Sequence, residues 1–268
     1  MDPTRLESWT SGDAYEQFMG RWSRLVAREF VVWLDEGAGS CWLDVGCGSG
    51  ALTRTVLQLA SPAAVLGLDP SAGFVRTARR LTADNRAQFT QGDATALPCG
   101  AQTFDVAVSG LVLNFVPDVL QALAEFRRVL RPGGIAAAYV WDYAEGMQML
   151  RYFWDAAAAV DPGGVALDEG ERFPLCHPDT LAETFRSAGF DDVTVRPLVV
   201  ETEFRDFDDF WDPFLGGQGA APVYLMGLSE AQQVAIKERL SATLPASADG
   251  AIRLTTRAWA ARGLAAKA

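Results

Sequence analysis

Histidine is almost missing from this chain: His177 is the only one among 268 residues. The four cysteines, Cys41, Cys47, Cys99 and Cys176, form no CxxC pair, so a His/Cys zinc site of any usual spacing is excluded and no metal is expected. They read as reduced, mostly buried thiols, not as a disulfide framework. Long apolar runs are also lacking, since none reaches the roughly 20 residues that a spanning helix needs. The N-terminal Met-Asp-Pro-Thr-Arg-Leu-Glu-Ser-Trp-Thr has neither the basic start nor the apolar centre of a secretory signal. These absences lead us to expect a soluble, cytoplasmic protein with no membrane span.

Positive charge is scarce as well. Lys and Arg number 23 against 34 Asp and Glu, and the resulting net charge of −11 repels a phosphate backbone. No basic stripe offsets this locally. Arg76, Arg79 and Arg80, and likewise Arg127, Arg128 and Arg131, are short clusters with helical spacing that read as solvated faces. Nucleic acid is not an expected partner.

What the chain does have is an apolar run that carries one acid and then breaks into alternate glycines, Trp42-Leu43-Asp44-Val45-Gly46-Cys47-Gly48-Ser49-Gly50-Ala51. It reads as a buried strand, a tight turn and a helix start, with glycines that allow positive φ and close approach of a ligand. Further strand candidates follow at Val65 to Leu68, Gln88 to Gln91, Val106 to Val108, Ile135 to Val140, Val193 to Val200 and Ala251 to Ala260. Helical periodicity marks Asp13 to before Gly37, Leu52 to Leu59, Ala72 to Ala83, Val119 to Leu130 and Pro178 to Ala188, with Arg131-Pro132-Gly133-Gly134 as a turn closing the fourth of these. Strands alternating with helices predict an α/β fold, a Rossmann-like doubly wound sheet of about seven strands, mostly parallel. Ligands of such sheets lie beyond the carboxyl ends of the strands.

The rhythm breaks twice. Residues 141–178 hold a helical run rich in Met, aromatic and Ala residues, and residues 203–245 hold an acidic aromatic helix, a glycine loop and a polar helix opened by a Ser229/Gln232 capping box. These are read as helical insertions forming a cap over the carboxyl edge of one domain, 1–268, with 1–38 as an N-terminal lid helix and 40–140 as the cofactor-binding core.

Acids fall at successive strand ends. Asp44 lies between Leu43 and Val45, where a carboxylate is costly unless a loop amide or a cationic ligand partners it. Asp69 ends the second strand 19 residues past Gly50, the position at which an acid meets a ribose. Asp93 follows the third strand and can accept from an adenine amino group, and Ser109-Gly110 ends the fourth.

Here the chain resembles the class I S-adenosylmethionine-dependent methyltransferases, in particular the small-molecule branch with the ubiquinone and menaquinone biosynthesis enzymes. The matching pieces are Leu43 to Gly50, Gly67-Leu68-Asp69-Pro70-Ser71, Gly92 to Pro98, Phe104 to Ser109 and Leu130 to Gly134, in family order. The resemblance implies that Gly46, Cys47, Gly48 and Gly50 wrap S-adenosylmethionine, with Asp44 near its amino group and Asp69 on its ribose. It places Pro70, and Phe74 as a further candidate, against the adenine. Asp93 and Ala94 read the adenine edge, and the carbonyl of Ser109 meets the amino group. Tyr15 or Arg21 of the lid helix could reach the cofactor, with plain packing as the alternative. Relatives often carry histidines after the fourth strand, where this chain has Leu111-Val112-Leu113-Asn114-Phe115.

For the acceptor, a small molecule, the candidates are Asn114, Phe115, Trp141, Tyr143, Met147 and Trp211. No catalytic residue is assigned, with His177 and Asn114 as weak candidates, because an activated methyl donor needs chiefly proximity and alignment. Two rival readings stay open. Gly46 to Ala51 also satisfies the GxGxxA of an NAD(P)-binding oxidoreductase, and a noncatalytic cofactor-binding protein would keep the same loop.

Overall fold

The computed structural model describes residues 19–216 and 219–267. In chain order the strands are β1 (Cys41–Val45), β2 (Ala64–Asp69), β3 (Ala87–Gln91), β4 (Phe104–Gly110), β5 (Leu130–Trp141), β6 (Asp191–Phe204) and β7 (Ile252–Leu264). The helices are α1 (Arg21–Leu34), α2 (Ala51–Leu59), α3 (Ala72–Leu81), α4 (Val119–Val129), α5 (Gln148–Val160), α6 (Glu169–Arg172), α7 (Pro178–Ser187), α8 (Phe207–Trp211), α9 (Ala220–Gly227) and α10 (Glu230–Thr243).

The strands form one seven-stranded sheet in the order β3-β2-β1-β4-β5-β7-β6. Pairings β1 with β2, β1 with β4, β2 with β3 and β4 with β5 are all parallel. β7 runs antiparallel to β5, because Gly133 donates to the carbonyl of Ala265 at one end while Asp142 donates to that of Arg257 at the other. β1 is an interior strand, and Trp42 to Val45 are all buried. A strand covered on both faces must be apolar almost throughout, which makes its single acid conspicuous.

The chain divides into two compact units. One comprises Ser23–Val140, Leu175–Leu198 and Ala258 onward. Its helices start where their caps dictate: Ser71 Oγ accepts from the amide of Phe74 to open α3, and the Asp118 carboxylate accepts from that of Gln121 to open α4. α1 buries Val26, Ala27, Phe30 and Leu34, with Phe30 against the ring of Tyr139 at 4.6 Å between centroids. The other unit comprises the described residues up to Trp22, Trp141–Pro174 and Val199–Arg257, close to the segments where the sequence leaves its βα rhythm. Its core is aromatic: Phe153 stacks on Phe214 at 4.6 Å and 11°, with Trp154, Tyr224 and Phe210 around them. The capping box at Ser229 and Gln232 is present, as its spacing predicts.

Two local expectations need correction. Arg131 to Gly134 does not form a separate turn; α4 stops at Val129, and these residues open β5, with a register shift against β4 between Phe104 and Val106 and Gly133 at φ 78°. Gly133 and Gly134 are recruited by the backbone of Ala265, just past the end of β7, a partner distant in sequence that a local reading cannot supply. Helix α9 occupies a stretch between the glycine loop and the helix opened by Ser229 to which the sequence reading assigns no element, and it contains Pro222. It is the third residue of this helix, where the missing N–H has no intrahelical partner to lose. No helix of the described residues is long and apolar enough to cross a membrane.

Candidate functional site

The site in the first unit begins at the end of β1. Gly46, Gly48 and Gly50 have φ of 75°, 51° and 84°, all left-handed. The amides of Gly46 and Cys47 both donate to the carbonyl of Leu68, at 2.7 and 2.9 Å, which ties the turn to the end of β2. Gly46 has no room for a side chain, since an added Cβ would lie 2.5 Å from Cγ1 of Val112. Above Gly48 the space is open, with nothing within 4 Å of such a Cβ. The turn is therefore wedged underneath and accessible on top, as a cradle for a ligand must be. Cys47 turns its side chain into the core with Val75, Ala78 and Phe89, so only its backbone faces the loop. Burial and the nearby Asp44 and Asp69 carboxylates push its thiol far up, leaving it protonated.

Asp44 is 1% exposed. Its Oδ2 accepts from the hydroxyl of Thr53 at 2.6 Å, while its Oδ1 is buried with no partner among the described residues. Burial pushes its acid constant up to about 7, against the opposing hydrogen bonds from Thr53. Asp69 accepts from the Gly48 amide at 3.0 Å through Oδ2 and from the Ser71 amide at 2.8 Å through Oδ1. Burial raises its pKa and the two amides oppose that rise. A carboxylate has about four acceptor positions, so two remain for hydroxyl donors.

Asp93 is exposed, and its Oδ1 accepts from both the amide and the hydroxyl of Thr95, which lower its pKa. Ala94 is half-buried beside it, Pro70 is exposed and Phe74 is half-buried. Ser109 is fully buried and its Oγ has no partner among the described residues. Beyond it, Leu111 takes φ 63° and leads into a single 3₁₀ turn, Leu113–Phe115, on which the Nδ2 of Asn114 is buried, likewise with no partner among the described residues. His177 is exposed at the N-cap of α7, where its carbonyl accepts from the Leu181 amide.

The remaining candidates belong to the second unit. Arg21 pairs with Asp209 at 3.3 Å and lies over the rings of Trp22 and Phe204, contacts of the packing kind. Trp141, Tyr143, Met147 and Trp211 are all buried; Tyr143 meets Phe173 at 5.6 Å, and Trp211 stacks with Phe207. Tyr15 lies outside the described residues.

Several supporting residues escape a motif search. Thr53 reads as an ordinary helix residue, yet its hydroxyl holds the Asp44 carboxylate. Glu125 and Arg128 resemble a solvated helical pair. In the structure Glu125 Oε2 accepts from the Leu97 amide, and Arg128 donates to the carbonyls of Leu97 and Cys99, so α4 pins the loop that carries Asp93. Gly67 lets Phe89 cross β2, since a Cβ there would lie 2.5 Å from its ring.

These residues fit S-adenosylmethionine. The cofactor offers a cationic amino group, for which the unpartnered Oδ1 of Asp44 is the complementary acceptor, and a ribose, for which Asp69 has acceptor capacity left. The glycine cradle, the three acids and the sheet order together define a methyltransferase of the Rossmann-like class.

Comparison with known proteins agrees. A family model described as a methyltransferase domain matches residues 43–138. The 2-phytyl-1,4-naphtoquinone methyltransferase of Thermosynechococcus vestitus is 33% identical over 181 residues, covering 63% of this chain and 80% of that protein. The demethylmenaquinone methyltransferase of Symbiobacterium thermophilum is 30% identical over 214 residues, 71% of this chain and 84% of the relative. Among solved structures, phosphoethanolamine N-methyltransferase 2 of Haemonchus contortus in complex with S-adenosyl-L-methionine shares the fold at a TM-score of 0.56 and 17% identity, covering 97% of this chain and 57% of that one. The chain belongs to this methyltransferase family. Neither the oxidoreductase nor the noncatalytic reading gains support from these relatives.

Proposed function

We propose that this enzyme methylates a reduced quinone or a closely similar hydroxylated ring in the cytoplasm, as one methyltransferase domain in which segments 141–178 and 203–245 recognise the acceptor. The observation that carries it is the pair of relatives named for quinone methylation, at 33% and 30% identity over most of their length. The net charge of −11 supports a small-molecule acceptor over nucleic acid.

When bound, S-adenosylmethionine supplies a methyl group already activated on a sulfonium for in-line displacement. The protein's part is to hold and orient. Gly46, Gly48 and Gly50 form the cradle, with Cys47 contributing backbone. The Asp44 carboxylate pairs with the amino group, Asp69 takes the ribose hydroxyls, and Asp93 and Ala94 read the adenine edge, with Pro70 and Phe74 at its face. The carbonyl of Ser109 faces the amino group from β4, and Asn114 and Phe115 lie on the acceptor side. Alignment of this kind supplies up to roughly 7–11 kcal/mol of rate enhancement, so no protein base is required when the acceptor arrives ionised.

The test is incubation of the protein with methyl-labelled S-adenosylmethionine and either reduced 2-phytyl-1,4-naphthoquinone or demethylmenaquinol. Label in the quinol is the expected result. Label that appears only in members of a broad metabolite panel without a quinol ring would sink the quinone reading, and no label anywhere would favour a noncatalytic role.

A further inference from the structure

A threonine hydroxyl inside a helix commonly donates to the carbonyl four residues back. Thr55 on α2 does so, bonding the carbonyl of Ala51 at 3.0 Å. Thr53, 0% exposed, instead turns its hydroxyl to Oδ2 of Asp44 at 2.6 Å, across the glycine turn. It is the third residue of α2, where an amide has no intrahelical partner, and Gly50 at the N-cap has no side chain to serve it. The Asp44 carboxylate stands in that place, and the hydroxyl and amide of Thr53 both favour its ionised form.

Among the described residues no lysine or arginine favours that form. The register partners of Asp44 are Gly67 on β2 and Val108 on β4, neither of them charged. Asp69, further along β2, adds like charge, and the Cys47 thiol stays protonated. Arg54, next on α2, donates to the carbonyl of Ser49 at 2.7 Å. Arg24, Arg28 and Glu29 on α1 and Arg76, Arg79 and Arg80 on α3 are exposed. Thr53 is thus the counterweight to burial at this acid.

The methionine end of S-adenosylmethionine carries an ammonium group and a carboxylate. Oδ1 of Asp44 is buried with no partner among the described residues, and an ionised carboxylate can only accept, so it attracts the first group and repels the second. We propose that Thr53 is a positioning residue for cofactor binding: its hydroxyl fixes Asp44 by Oδ2, which keeps Oδ1 as the acceptor for the ammonium group. This rests on the reading of Asp44 as the partner of that group. Thr53 itself touches no cofactor atom in this role. Without its hydroxyl, burial prevails and Asp44 takes up a proton at neutral pH, and the ammonium group then meets a neutral acid instead of a charge.

The experiment uses the whole protein and two probes. S-adenosylhomocysteine has the ammonium group, whereas 5′-methylthioadenosine keeps the ribose and adenine but lacks the amino acid tail. Calorimetry between about pH 6 and about pH 8.5 gives both affinities. Carboxyl-carbon NMR of the cofactor-free protein, with Asp44→Asn to assign the signal, gives the protonation midpoint of Asp44. Thr53→Val keeps the shape and removes the donor. Its midpoint should rise by about one pH unit or more, the equivalent of one hydrogen bond to a charged group. S-adenosylhomocysteine should then bind about tenfold more weakly near pH 6 and within about twofold of wild type near pH 8.5, while the affinity for methylthioadenosine stays the same. Thr53→Ser, which keeps the donor, should restore the midpoint and the pH profile; Thr53→Ala takes the place of the valine variant if that fails to fold. A midpoint that does not move overturns the role of Thr53 and leaves Asp44 on the ammonium group. A midpoint that moves while S-adenosylhomocysteine binds as to the wild type overturns the reading of Asp44, and the role of Thr53 with it. Equal weakening of both probes at every pH marks a merely structural hydroxyl and also overturns the proposal.

Discussion

Asp44→Asn is the substitution that sets stability against function most directly. The carboxylate is 1% exposed, Oδ1 has no partner, and burial lifts its acid constant from 3.8 to about 7. The folded state thus holds this proton more tightly than the unfolded chain does. Its contribution is fully present below about pH 4, and stability is lost as pH rises toward about 7. At about 1.36 kcal/mol for each tenfold change in acid strength, the loss amounts to about 4 kcal/mol. An asparagine has no charge to bury, so the variant lacks this loss, but it places an unpartnered amide N–H where Oδ1 was, at a cost of about 1–3 kcal/mol. The two curves therefore cross. Urea unfolding from pH 4.5 to 8.5 should show the wild type more stable at the acid end and Asp44→Asn more stable by about 1–3 kcal/mol near pH 8. Calorimetry on the same samples should show S-adenosylmethionine binding weakened by roughly 30-fold or more, as expected when one partner of a buried charge pair is removed. Wild-type affinity should fall below about pH 7, because the cofactor's cation binds the ionised acid. Parallel stability curves would refute the buried-charge argument, and undiminished binding by the variant would refute the assignment of Asp44 to the amino group.

Four further outcomes follow from the same geometry. Gly46→Ala combines a φ of 75° with a Cβ 2.5 Å from Val112, and thermal melting should show a loss of about 2–4 kcal/mol. Asp69→Ala removes the acceptor for the Gly48 and Ser71 amides as well as the ribose contact, so calorimetry should find cofactor binding about 10–100-fold weaker in a protein that still folds; unchanged affinity would overturn the ribose assignment. Arg128→Ala releases the carbonyls of Leu97 and Cys99, and hydrogen exchange should quicken at residues 95–99 while β3 stays protected. Glu169 is buried, accepts from Trp154 Nε1 at 2.7 Å and is pushed up to about 7 by burial, so it too loses stability as pH rises from about 4.5 to about 7. Glu169→Gln should flatten that part of the urea-derived stability curve.

The βα rhythm of residues 40–140 was legible because it needs only local information. A five-residue apolar run such as Cys41–Val45 must be buried on both faces, and glycines at alternate positions after it can only be a turn. The acids at the strand ends were legible for the same reason, since each stands where its charge has no local excuse. What surrounds them was not. The pinning of the Asp93 loop by Glu125 and Arg128 spans about 30 residues of sequence, and the pattern of α4 alone gives those two side chains a solvated role. Cys47 sits inside the glycine motif and reads as a loop residue; only the position of Phe89, allowed by Gly67, shows that its side chain belongs to the core.

The sequence by itself determined the class of sheet and the glycine turn, because alternating periodicity acts through neighbours along the chain, while the methyl donor entered through the resemblance of its motifs to a family. The tertiary structure alone decided which polar atoms remain unsatisfied. Thr53 takes one oxygen of Asp44 and leaves the other, and the turn after β4 buries the amide of Asn114 without a partner. Hydrogen-bond satisfaction depends on groups brought together from distant parts of the chain, and here it leaves one oxygen of Asp44 open to a ligand.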